Sequence, residues 1–163
     1  MVSYKPPKQY PYLPEGRQIK YISQDHPFMK EARKAQQKNS TEKLNPIGVV
    51  LVRNEKVILR AGNQSILKNQ KMVELHKKYC LRRLLKVPSG KAYWLCPGCA
   101  SPEQHAEAQL IKKARKQNID TRDADIYMYG HWWCCQDCWN KMIKAEIRNI
   151  YHPENAYNLF ARK

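Results

Sequence analysis

No run of apolar residues in this chain approaches the ~20 needed to cross a bilayer, and the first residues lack the apolar stretch of a secretory signal. A cytoplasmic location and no membrane partner are therefore expected. Acidic residues are also scarce: 14 Asp and Glu stand against 30 Lys and Arg, a formal charge of +16. That imbalance favours anionic partners such as phosphorylated nucleotides or nucleic acid, and it equally describes a soluble, lysine-rich surface. No internal repeat is visible. Hydrophobic residues fill 42% of the 163 positions, which argues against wholesale disorder and allows one domain with a buried core.

Residues 1–25 hold Pro6, Pro7, Pro11 and Pro14 among Tyr4, Tyr10, Tyr12 and Tyr21 and show no sustained period, so an extended N-terminal arm is expected, packed onto the body through its tyrosines. The domain proper is expected over 26–163. Asp25 is a candidate N-cap, with Pro27 in the first turn and Met29, Ala32 and Ala35 spaced along one helical face that fades near Asn39. Ile47 to Val52 is an apolar, β-branched run that suits a strand buried on both faces. Asn54-Glu55 then turns the chain into a second strand, Lys56 to Ala61.

Residues 64–104 form a very basic insertion in which Met72, Leu75 and Tyr79 have helical spacing. Beyond it, Ala106, Leu110, Ile111 and Ala114 define a helix, Ile126 to Tyr129 a strand, Trp139, Met142 and Ile143 the inner face of a second helix, and Ile147 to Tyr151 a last strand. Strands alternating with helices imply an α/β sheet covered by helices, its later strands joined by crossovers.

The six cysteines, Cys80, Cys96, Cys99, Cys134, Cys135 and Cys138, read in a reducing compartment as metal ligands or free thiols rather than disulfides. His105-Ala106-Glu107 followed by Cys135-x-x-Cys138 supplies three zinc ligands and a carboxylate that need not bind the metal. A structural zinc closes its tetrahedron with four protein ligands, whereas a catalytic one keeps a position for water. If His105 and the cysteine pair each open a helix, two helix N-termini face the metal and favour ionised thiolates. Taken singly, a His-x-Glu is an ordinary helix-start feature and a Cys-x-x-Cys is more often structural.

Together with the Gly-Val-Val-Leu-Val strand and the Ala-Gly-Asn turn at Asn63, these motifs resemble the cytidine and deoxycytidylate deaminase superfamily over roughly residues 26 to 151. The resemblance implies a three-layer α/β/α fold with a mixed central sheet and a catalytic zinc on His105, Cys135 and Cys138. It also implies Glu107 as the proton carrier and a sugar contact at Asn63, which as a turn residue after a strand has an equally good structural reading. Ala106 within the motif, and His131 and Trp132 as rings that stack on bases, are further candidates for substrate contact, with core packing the alternative for the tryptophans. The implied reaction is attack of water at C4 of a cytosine ring and loss of ammonia to leave uracil. A small nucleotide or nucleoside is the implied substrate, dCMP foremost because the basic insertion suits a phosphate. A homo-oligomer is implied by resemblance alone.

Two features depart from the family pattern. Cys134 occupies the place of a usual proline, and its thiol is a competitor for the zinc. The insertion adds His76, Cys80, Cys96 and Cys99, four ligands for a second, structural zinc, as in some deoxycytidylate deaminases; His26, His131 or Cys134 are alternatives to His76. The charge leaves open a deaminase acting on a tRNA or single-stranded DNA base. A non-catalytic zinc module binding nucleic acid is the contrasting class, and it gives Glu107 no purpose.

Overall fold

With apolar side chains pointing both ways from one strand, helices must cover both faces of its sheet, and that requirement organises the molecule. The computed structural model describes residues 9–88, 90–99 and 101–161; Tyr4, Pro6 and Pro7 of the expected arm lie outside the described residues. Strand β2 (Gly48–Arg53) sits inside a five-stranded sheet of order β1-β5-β4-β2-β3, formed with β1 (Ile19–Ile22), β3 (Lys56–Gly62), β4 (Asp125–Tyr129) and β5 (Asn149–Pro153). The sheet is mixed. β2 runs antiparallel to β3 and β4, whereas β5 runs parallel to both β4 and β1. Asn54 and Glu55 join β2 to β3 with φ of 49° and 58°, the left-handed pair of a type I′ turn that matches the strand twist.

The period-two alternation of β2 divides the core. Val49 and Leu51, with Ile126, Met128 and Ile150, lie under α4 (Ala106–Lys116) and α5 (Gln136–Lys144), while Val50, Val52 and Tyr127 lie under α1 (Pro27–Asn39) and its Met29, Ala32 and Ala35. Each fully buried aliphatic side chain contributes roughly 1.5–3 kcal/mol. The result is the expected three-layer α/β/α arrangement. Helix α1 rests directly on backbone: a Cβ on Gly48 would lie 2.3 Å from the Ala32 carbonyl oxygen, and one on its register partner Gly62 would lie 2.4 Å from the Ser40 nitrogen.

Several expectations shift. Within the stretch read as an arm, Ile19–Ile22 forms the edge strand β1, because Ile19 has β5 beside it and the α5 side of the core to enter. Tyr10, Tyr12 and Tyr21 pack against the core as expected, with the Tyr10 and Tyr21 hydroxyls hydrogen-bonded to each other. The cap of α1 is His26 rather than Asp25: its Nδ1 accepts the Phe28 N–H at 3.3 Å. The last strand starts at Asn149, not Ile147, because the end of α5 uses those residues. Glu146 takes a left-handed φ of 56°, and its N–H and that of Ile147 reach back to the Ile143 and Met142 carbonyls. Ile143 faces outward. Helix α2 (Gln70–Tyr79), followed by the short α3 (Leu81–Leu84), forms as expected, yet Met72, Leu75 and Tyr79 are exposed and α2 buries nothing among its residues.

Candidate active site

Two helix starts converge on one point. The 3-10 turn Pro102–Gln104 delivers His105 in extended conformation (φ −64°, ψ 151°) as the N-cap of α4, and Cys135 (φ −70°, ψ 163°) caps α5 in the same way. A cap residue ordinarily turns its side chain back onto the first helical N–H groups. Neither does so here, so both side chains are free to face each other. His105 Nδ1 lies 3.5 Å from Cys135 Sγ and 3.4 Å from Cys138 Sγ. Zn–N and Zn–S bonds of ~2.1 and ~2.3 Å at tetrahedral angles demand an N···S edge of ~3.5 Å. The three residues therefore fit zinc as they stand, and the tetrahedron lacks one protein ligand.

Glu107, in the first turn of α4, is 3% exposed. Burial pushes its carboxyl above the usual range, Cys135 adds to that, and the neighbouring His105 opposes it. Burial works against a charged His105, but its hydrogen bond to Cys135 and the charge of Glu107 outweigh that and raise it. The Cys138 thiol hydrogen-bonds to Cys135, which lowers Cys135 and raises Cys138, so the first proton leaves Cys135. A buried carboxyl raised in this way, beside three groups that fit a metal, is a candidate for taking and returning a proton.

A cavity of about 590 Å³ opens onto this cluster, with His105, Glu107 and Cys135 in its wall beside Asn63, His131, Trp132 and Trp133. Trp132 is half-buried and ring-packed against Tyr10 and Tyr157, whereas Trp133 is core. Asn63 reaches the cavity wall but is committed to the scaffold: its Oδ1 accepts from Ile47 N–H and Ser40 Oγ–H, and its Nδ2 donates to the Asn45 carbonyl. Ala106 is wholly buried at the helix start and is not part of the cavity wall. Cys134 stands outside the three-residue cluster, 3.8 Å from the buried His152 and beside Glu107, and burial pushes its thiol well up. It is therefore poorly placed to compete for the metal.

The insertion brings together the second expected group. His76, Cys80, Cys96 and Cys99 present four ligand atoms, all within 4.8 Å of one another. His76 Nε2 and Cys80 Sγ each lie 3.4 Å from Cys99 Sγ, close to tetrahedral edges for zinc. His76 takes the fourth corner, and of its alternatives His26 caps α1 while His131 lies in the active-site wall. The knuckle needs Gly98, since a Cβ there would stand 2.7 Å from the His76 ring. Residue spacing gave no sign of Tyr93, whose hydroxyl lies 2.9 Å from His105 Nε2; its position in the insertion just before Cys96 was the one available signal.

A buried carboxyl beside three groups that fit zinc, opening into a cavity, is the arrangement that hydrolases working with metal-activated water require. The family model for the cytidine and deoxycytidylate deaminase zinc-binding region matches residues 22–153. The chain belongs to this family and is a zinc-dependent hydrolytic deaminase, not a non-catalytic zinc module. Among solved structures, the dCMP deaminase of cyanophage S-TIM5 in apo form is 18% identical with a TM-score of 0.46, covering 81% of this chain and 85% of that one. Its complex with dCMP and dUMP has the same identity and coverage and a TM-score of 0.48. A diaminohydroxyphosphoribosylaminopyrimidine deaminase/5-amino-6-(5-phosphoribosylamino)uracil reductase of Thermotoga maritima is 20% identical with a TM-score of 0.46 over 77% of this chain, which spans only 28% of that one. No curated protein sequence matches the chain. Among the described residues no helix is long and apolar enough to cross a membrane.

Proposed function

We propose that this protein hydrolyses the 4-amino group of a cytosine nucleotide, dCMP foremost, to give the uracil nucleotide and ammonia. The observation that carries the choice is that Arg83 and Lys86 of the insertion line the same cavity as Glu107. A nucleotide with its base at Glu107 needs a cation for its phosphate, and those two side chains supply it. Arg82 also lines the cavity, but it is buried and its guanidinium donates to the Lys91 and Pro88 carbonyls, so Arg83 and Lys86 are the exposed cations.

In this assignment His105, Cys135 and Cys138 hold the catalytic zinc, and His76, Cys80, Cys96 and Cys99 hold a structural one. A zinc at the first site supplies a water ionised near neutral pH. Glu107 would take a proton from the attacking water and deliver protons to the ring nitrogen and the departing amine, so that one water enters and one ammonia leaves. His131 and the exposed edge of Trp132 stand where a ring would stack, an interaction worth roughly 1–3 kcal/mol per base.

A panel of cytidine, deoxycytidine, CMP, dCMP, single-stranded DNA and tRNA, read by ammonia release, tests the proposal. dCMP should be turned over best, and Arg83→Ala with Lys86→Ala should raise KM for dCMP while leaving that for deoxycytidine little changed. Equal KM changes for both substrates would defeat the phosphate assignment.

A polynucleotide substrate is the second reading, favoured by Trp94, which stands 83% exposed on the basic insertion beside the cavity residue Tyr93. Binding that falls steeply with salt, and turnover of the polymer alone, would decide for it.

A further inference from the structure

The insertion reaches the first metal cluster through one side chain. Tyr93 Oη lies 2.9 Å from His105 Nε2, on the opposite side of the imidazole from Nδ1, which faces the two cysteine sulfurs. With Nδ1 turned to the metal position, Nε2 carries the ring proton, and Tyr93 Oη is its acceptor. The Gly90 N–H donates to the same oxygen at 2.9 Å. Gly90 itself (φ 84°) lies against Cys135, where a Cβ would stand 2.9 Å from the Cys135 Cβ. The insertion thus touches two of the three residues of the cluster.

Tyr93 is held from both sides by the second cluster. Arg82, two residues after Cys80, stacks on its ring with the guanidinium carbon 4.0 Å from the centroid, and binds the Lys91 and Pro88 carbonyls at 3.0 Å. On the other side, the 3-10 turn Tyr93–Leu95 runs directly into Cys96, whose N–H returns to the Tyr93 carbonyl at 3.2 Å. Among the described residues this segment has little apolar anchoring, because α2 buries none of its residues and Leu81, Leu84, Leu85 and Trp94 are exposed. Four ligand atoms gathered at His76, Cys80, Cys96 and Cys99 replace the missing apolar anchor.

We propose that Tyr93 is a positioning residue for the catalytic zinc: its phenol oxygen takes the Nε2–H of His105 and fixes the imidazole, and the zinc knuckle of the insertion holds Tyr93 in place to do so. The proposal rests on His105, Cys135 and Cys138 being a zinc site. Loss of a group that orients a ligating histidine typically weakens metal binding by ~10–100-fold. Tyr93 touches no reacting atom, so its effect is on the metal first and on turnover through it. The two metal sites are thereby coupled: emptying the knuckle loosens zinc at the active site without removing any of its ligands.

The test measures zinc affinity by chelator competition and the visible spectrum of the cobalt(II)-substituted protein. Tyr93→Phe keeps the ring under Arg82 and removes only the oxygen. It should bind active-site zinc about 10–100-fold more weakly and shift the cobalt bands, with the knuckle zinc retained and the zinc-saturated melting temperature unchanged. Cys99→Ser, which empties the knuckle, should produce a similar loss at the active site, and the double variant should lose little more than either single one. Wild-type affinity and cobalt bands in Tyr93→Phe would overturn the role of Tyr93, and fully additive losses would overturn the coupling. If His105→Ala binds as many zincs as wild type, the site assignment fails and this proposal with it. Failure of every cytosine compound in the substrate panel, with Tyr93→Phe still weakening zinc, would overturn the substrate alone.

Discussion

Cys138 Sγ lies 3.4 Å from His105 Nδ1 although 33 positions separate the two residues, because each belongs to the first turn or cap of a helix that leaves the same face of the sheet. Two positive helix ends thus meet at the three ligand atoms, where they favour thiolate charge.

Glu107 touches that site without being needed as a ligand. Glu107→Gln should keep its zinc content, by metal analysis, and lose ~10²- to 10⁴-fold in turnover. Comparable activity in the zinc-loaded variant would sink the proton-carrier role.

The insertion should add a second zinc. Purified protein is expected to hold two per chain, and Cys96→Ser with Cys99→Ser to hold one. Gly98→Ala places a methyl 2.7 Å from the His76 ring and 3.1 Å from Leu67, so the ring must swing and the knuckle zinc should exchange faster. A single zinc in wild type, with Cys96 and Cys99 open to a thiol reagent, would rule the second site out.

Gly48 tests the closest approach of the two layers. Its missing Cβ would meet backbone atoms of Gln36 and Ala32 at 2.0 and 2.3 Å, which only movement of α1 can relieve. Gly48→Ala should destabilise the fold by at least ~1–3 kcal/mol, the usual cost of overpacking, as measured by denaturant unfolding. An unchanged midpoint would show that α1 does not sit this tightly on β2.

His152 is wholly buried, donates Nδ1–H to the His131 carbonyl at 2.8 Å, and is pushed down to about 4 by burial. Its folded pKa lies below the unfolded value near 6.5, so the unfolded chain binds the proton first. The stability it confers is therefore complete above pH ~6.5 and is lost as pH falls toward 4, by roughly 3 kcal/mol across that window. His152→Gln, whose amide can still donate to the same carbonyl, should show a flatter fall than wild type. Comparing the two proteins at each pH cancels the titration of the metal ligands, which both share. Parallel curves would mean that His152 does not titrate in this range.

Much of the site was legible because its chemistry is local in sequence. His105 with Glu107, and Cys135 with Cys138, sit two and three residues apart at helix starts, and Cys96-Pro97-Gly98-Cys99 is a recognisable knuckle. The strands around Val50 and Met128 were legible for a similar reason, since apolar periodicity is written residue by residue. β1 was not, because an edge strand of four residues beside prolines has too short a pattern to stand out, and its partner β5 comes about 130 residues later. Ile143 followed the helical period yet points outward, because the neighbouring elements cover only the Trp139 and Met142 side of α5.

By itself the sequence carried the layer order, the family, and the His and Cys groups that the fold gathers into two clusters, since residue type and short spacing dictate these. Only the tertiary structure decided which His completes the second cluster, that Cys134 turns toward His152 and away from the metal position, and that Asn63 is tied into the scaffold. It also decided that Tyr93, twelve residues before His105, meets that ring. Such choices depend on where separate segments come to rest against one another. They follow from the packing of the whole sheet and its insertion, which no local run of residues encodes.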